Sequence, residues 1–84
     1  MTSPPTLPDQ AALEALAAEV GALLLVNGQK LATAESCTGG WVAQCLTAIA
    51  GSSDWFERGF VTYSNDAKQE MLGVARETLD RHGA

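Results

Sequence analysis

The segment Leu31-Ala32-Thr33-Ala34-Glu35-Ser36 runs straight into Cys37-Thr38-Gly39-Gly40 and then into an amphipathic stretch that begins at Trp41. A short strand that ends in a hydroxyl residue and passes through two glycines into a helix limits the fold sharply. It sets a side-chain oxygen beside free backbone N–H groups, a geometry suited to a nucleophile with an oxyanion site or to an anion cradle. Glycine adds to this because it has no Cβ to keep a ligand from the backbone. The simpler use of Ser36 or Thr38 is to cap the helix that follows. The segment is not Gly-x-Ser-x-Gly, and no Gly-Lys-Ser/Thr follows the glycines, so neither the hydrolase elbow nor the P-loop applies.

The rest of the chain alternates helix and strand. After a proline-containing leader at 1–8, Asp9 is placed to cap a helix in which Leu13, Leu16, Ala17, Val20, Leu23 and Leu24 recur at helical spacing, with Gly28 as its stop. One apolar stripe is expected on it. Leu31–Glu35 reads as a strand, and Gly40–Ala50 as a helix with Val42, Cys45, Leu46 and Ile49 on one face. Gly51-Ser52-Ser53-Asp54 is a turn, and Phe60-Val61-Thr62-Tyr63 a second strand. Asp66 with Gln69 suggests a capping box for a short helix that Gly73 ends, and Arg76–His82 a last helix before Gly83. This order belongs to an α/β layered domain. Two strands do not complete a central sheet, so the chain reads as the N-terminal part of a larger unit.

A chain of 84 residues holds one small domain at most. Its net charge of −5, with only 5 Lys and Arg, argues against a nucleic-acid surface. No apolar run is long enough to span a bilayer. Cys37 and Cys45 are not spaced as a metal-binding pair, and at about 1.5 Å per helical residue they stand roughly 12 Å apart, too far to bridge. Two reduced cysteines point to the cytoplasm. Trp55-Phe56, next to the turn, read as core packing for the strand that follows, with an interface or a lid over a substrate as the alternatives.

A catalytic serine needs a base. His82, the single histidine, sits in the last turn of a helix, where it complements the dipole. A lysine base must shed a proton near neutral pH against an ordinary lysine value of about 10.4. Lys30 reads as solvent-facing. Lys68 falls in the first turn of a helix, whose positive end opposes an ammonium by only about 0.3–1 kcal/mol, so burial against Phe60, Trp41 or further chain must supply the rest. In isolation Lys68 reads as a surface lysine and Tyr63 as a half-buried strand aromatic. Cys37 is a rival nucleophile whose ordinary reading is a small buried thiol.

Glu35-Ser36-Cys37-Thr38-Gly39-Gly40 and Gly59-Phe60-Val61-Thr62-Tyr63-Ser64-Asn65, followed by Lys68, resemble the two motifs of the nicotinamide-nucleotide amidohydrolase family, also called the CinA C-terminal domain family. The resemblance covers residues 10–84 and the N-terminal half of the family's domain. It implies a three-layer α/β/α sandwich around a mixed sheet, of which 9–84 is one part. It also implies deamidation of nicotinamide mononucleotide, with Ser36 as nucleophile, Lys68 as general base and Tyr63 as proton relay or orienting hydroxyl. Backbone amides at Thr38, Gly39 and Gly40 would hold the oxyanion or the substrate phosphate. Glu35 or Asp66 could balance the pyridinium charge. The implied reaction needs no cofactor and no metal, its partner is a small nucleotide rather than nucleic acid or membrane, and the family implies a homo-oligomer. A non-catalytic nucleotide-binding or interaction module of a competence- or damage-inducible protein is the alternative.

Overall fold

A computed structural model describes residues 9–83; the expected leader at 1–8 and Ala84 lie outside the described residues. Helix α1 spans Gln10–Val26, strand β1 Leu31–Ser36 and helix α2 Trp41–Thr47. A single 3-10 turn at Ser52–Asp54 leads into strand β2 at Phe56–Thr62, and helices α3, Asn65–Leu72, and α4, Arg76–His82, follow.

Local chemistry sets most of these boundaries. The Asp9 side chain accepts the Ala12 N–H at 2.8 Å and starts α1, which closes on Asn27 and Gly28. Gly73 ends α3 in the left-handed conformation with φ 66°, where its N–H and that of Val74 return to the carbonyls of Gln69 and Lys68 at 3.1 and 3.2 Å. The cap of α3 is Ser64 and not Asp66: its hydroxyl accepts the Ala67 N–H at 3.0 Å. Ser64 lies closer to the strand exit, and its backbone is still extended, as a cap requires.

The two strands pair in parallel, as a strand–helix–strand connection demands. The register runs from Leu31 opposite Phe56 to Ser36 opposite Thr62, with an irregularity between Leu31 and Ala32. Strand β2 therefore begins four residues earlier than the sequence indicates, through polar Glu57-Arg58-Gly59, and it ends before Tyr63. Helix α1 packs on α2, and α3 packs on β2. The α/β class expected from the sequence holds, and the described residues contribute two parallel strands to it.

Ala17, Leu46 and Trp55 form the core, with Leu24, Leu31, Ile49 and Phe56 packed around them. Trp55 is thus a core residue, as expected. The apolar stripe expected on α1 is observed in part: Leu13, Leu16, Ala17 and Val20 line one groove against α2 and Leu24 packs on the core. Ala17 and Gly21 face the core, while Leu16 and Leu23 are more than half exposed and Val26 is nearly fully so. A helix apolar on more than one side has a second face to cover. Helix α2 is also shorter than expected: Gly40 is its cap, Ala48 closes it, and Val42 is half exposed rather than packed beside Cys45 and Leu46.

Candidate active site

The paired residues Ser36 and Thr62 mark the carboxyl ends of both parallel strands. Open α/β sheets receive ligands outside that end of their strands. A pocket of about 350 Å³ lies here, with Ser36, Thr62, Lys68, Leu72, Leu79 and His82 in its lining.

Ser36 closes β1, and the chain then turns sharply. Cys37 has φ 67°, the only positive φ at a non-glycine position among the described residues, and Gly39 and Gly40 follow at φ 69° and 97°. A left-handed residue other than glycine costs on the order of 1–3 kcal/mol and persists only where the surroundings impose it; such residues gather at functional sites. The Cys37 thiol is exposed, not buried as its type suggests, and Cys45 is the buried one. The Cys37 N–H reaches the Thr62 carbonyl at 3.4 Å. The N–H groups of Thr38, Gly39 and Gly40 meet no acceptor among the described residues.

Glu35 holds this turn. Its Oε1 accepts the Thr38 hydroxyl at 2.8 Å and the Val42 N–H at 2.7 Å, and its Oε2 accepts the Ala43 N–H at 2.9 Å. Burial pushes the Glu35 carboxyl up, but the bonds from Ala43, Val42 and Thr38 outweigh it and hold the acid below its ordinary range. Hydrogen bonds to a charged group contribute about 1.5–3 kcal/mol each, enough together to offset the strain at Cys37. The Glu35 carbonyl in turn accepts the Thr62 hydroxyl at 3.2 Å, fastening the end of β1 to the end of β2.

Lys68 stands one turn into α3, its N–H on the Ser64 carbonyl at 3.1 Å. It is not a surface lysine: only 6% of it is exposed. The apolar wall beside it is Leu72, Val74 and Leu79. Trp41, a candidate for that wall, instead lines a separate apolar groove of about 450 Å³ between α1 and α2. No carboxylate lies within ion-pair range of Lys68 among the described residues.

Ser36 and Lys68 therefore share one pocket, although no hydrogen bond joins them. Tyr63 stands one residue beyond β2, is 74% exposed and does not line the pocket. Thr38, Gly39 and Gly40 lie on the turn outside the lining. His82, assigned to the helix dipole from sequence, is both in the last turn of α4 and in the pocket wall. Among the described residues no three His, Cys, Asp or Glu side chains group as metal ligands. The clamp made by Glu35 escaped the sequence reading; its one signal was an acid just before a helix start, where the dipole favours negative charge.

The profile of the CinA C-terminal domain matches residues 13–84. The chain belongs to the CinA C-terminal domain family. Nicotinamide-nucleotide amidohydrolase PncC of Escherichia coli (strain K12) is 64% identical over 69 residues, which cover 82% of this chain and 42% of that protein. A CinA-like protein of Syntrophobacter fumaroxidans is 56% identical over 71 residues, 84% of this chain and 17% of that one. Among solved structures, the competence/damage inducible protein CihA from Agrobacterium tumefaciens superposes with a TM-score of 0.83 at 50% identity, over 95% of this chain and 47% of its own. The chain thus spans less than half the length of these relatives.

Proposed function

We propose that residues 9–84 form the N-terminal half of a CinA C-terminal domain that deamidates nicotinamide mononucleotide by serine chemistry. The observation that carries this reading is the convergence of Ser36 and buried Lys68 on one pocket at the carboxyl ends of the strands, in a chain so similar to a named amidohydrolase.

Ser36 Oγ attacks the carboxamide carbon of the substrate while the Lys68 amine takes the hydroxyl proton. The electron-withdrawing pyridinium ring activates that carbon. The tetrahedral oxyanion forms beside the free N–H groups of Thr38, Gly39 and Gly40. The charge of Glu35 next to this turn opposes either anion, and a doubly charged phosphate more than a singly charged oxyanion, so the oxyanion is the better occupant. Collapse breaks the C–N bond, and the proton held by Lys68 goes to the leaving ammonia. Water, deprotonated by Lys68, then hydrolyses the acyl-serine to nicotinic acid mononucleotide. Tyr63 takes its orienting or relay role once further chain of the complete domain covers the edge on which it stands. The reaction uses neither metal nor cofactor, and we place the enzyme in the cytoplasm as a homo-oligomer.

Release of ammonia from nicotinamide mononucleotide by the full-length protein tests the reading. Turnover that vanishes with Ser36→Ala and survives Cys37→Ala supports it, and the reverse pattern removes it. A binding module is the second reading, favoured by the occurrence of this segment as 17% of a much longer CinA-like protein. Tight nucleotide binding without turnover is its signature.

A further inference from the structure

Glu35 is the one buried carboxylate among the described residues, and no chemical step above uses it. Both of its oxygens are taken by the chain itself, through the Thr38 hydroxyl and the Val42 and Ala43 N–H groups. The side chain therefore bridges the Cys37–Gly40 turn from the strand on one side to the first turn of α2 on the other. Its main chain is held as well, since its carbonyl accepts the Thr62 hydroxyl. Ser36 lies between these two restraints, directly before the left-handed Cys37.

We propose that Glu35 is a positioning residue, whose carboxylate clamps the turn and so fixes the Ser36 hydroxyl and the unpartnered N–H groups of Thr38, Gly39 and Gly40 relative to one another. The inference rests on the reading of Ser36 as the nucleophile. Because three bonds from the chain engage its two oxygens and the residue is buried, its influence is expected on the reaction step rather than on binding. A glutamine is the most telling replacement. It has the same shape, but one of its terminal atoms is an NH2 group, which puts a donor against the backbone donor of Val42 or of Ala43, whichever oxygen it replaces.

The test is steady-state deamidation of nicotinamide mononucleotide by the full-length protein and its Glu35→Gln variant, with amide hydrogen exchange on both. The expected result is a kcat lower by about 100-fold with KM changed by less than about threefold. Exchange at Val42 or Ala43, whichever meets the NH2 group, is expected to quicken by about tenfold while the amides of β1 keep their protection. A kcat within about threefold of the parent overturns the proposal, as does unchanged exchange at Val42 and Ala43. If the parent itself shows no turnover, the amidase reading fails, and exchange at Val42 and Ala43 alone decides whether Glu35 clamps the turn. If Glu35→Gln does not fold, Thr38→Val removes one donor alone. A kcat about tenfold lower at constant KM supports the clamp, and an unchanged kcat overturns it.

Discussion

Gly21 of α1 is the space into which Trp55 packs: a Cβ at Gly21 would lie 2.5 Å from Cε2 and Cζ2 of the indole. Helix propensity favours alanine over glycine in a helix interior by about 0.5–1 kcal/mol. Overpacking a filled core costs about 1–3 kcal/mol, and Trp55, buried in the core, has no open side toward which to move. The steric effect wins. Gly21→Ala is expected to destabilise the fold by about 1–2 kcal/mol, measured by urea denaturation, and an increase in stability would mean that α1 and Trp55 do not pack this way.

Thr33 carries the opposite expectation. Its Oγ1 is buried with no hydrogen-bond partner among the described residues. Replacing an unsatisfied hydroxyl by a methyl of the same shape removes a desolvation penalty of about 1–3 kcal/mol. Thr33→Val should therefore raise the melting temperature, and a drop would show that the hydroxyl has a partner in solution.

Acid should loosen the turn at Ser36. The Glu35 carboxyl titrates below its ordinary value of 4.5 in the folded chain, so its ionised form stabilises the native state. That contribution is complete above the ordinary value and fades as pH falls through the lowered one. Urea midpoints measured between about pH 7 and pH 3 should fall more steeply for the parent than for Glu35→Gln in this acid window. Parallel curves would count against an ionised Glu35 in the fold.

How much of this was legible in the sequence depends on how local each cause is. Asp9 and Gly73 were readable as a cap and a stop because their partners lie within a turn of the chain. The start of β2 was not: Glu57-Arg58-Gly59 has no strand character, and it is the pairing with β1 that extends it. The burial of Lys68 was equally hidden, since the apolar wall beside it comes partly from Leu79 on α4. Ser36, Lys68 and Glu35 all stand in or beside the resembling motifs, but the clamp made by Glu35 is not legible there, because its donors lie three, seven and eight residues ahead and meet only when the turn closes.

Lys68 separates a base from a charge. Arginine keeps the positive charge but does not give up its proton in proteins. If Lys68 is the base, Lys68→Arg and Lys68→Met should both lower kcat by at least about 100-fold in the full-length protein. Recovery of activity by arginine would make Lys68 an electrostatic contact instead.

The proposed covalent step is tested directly by quenching the full-length protein in the presence of nicotinamide mononucleotide and mapping any acylated peptide by mass spectrometry. An acyl group on the Ser36 hydroxyl, absent from Ser36→Ala, is the predicted result. An acyl group on the Cys37 thiol, or undiminished turnover by Ser36→Ala, would contradict it.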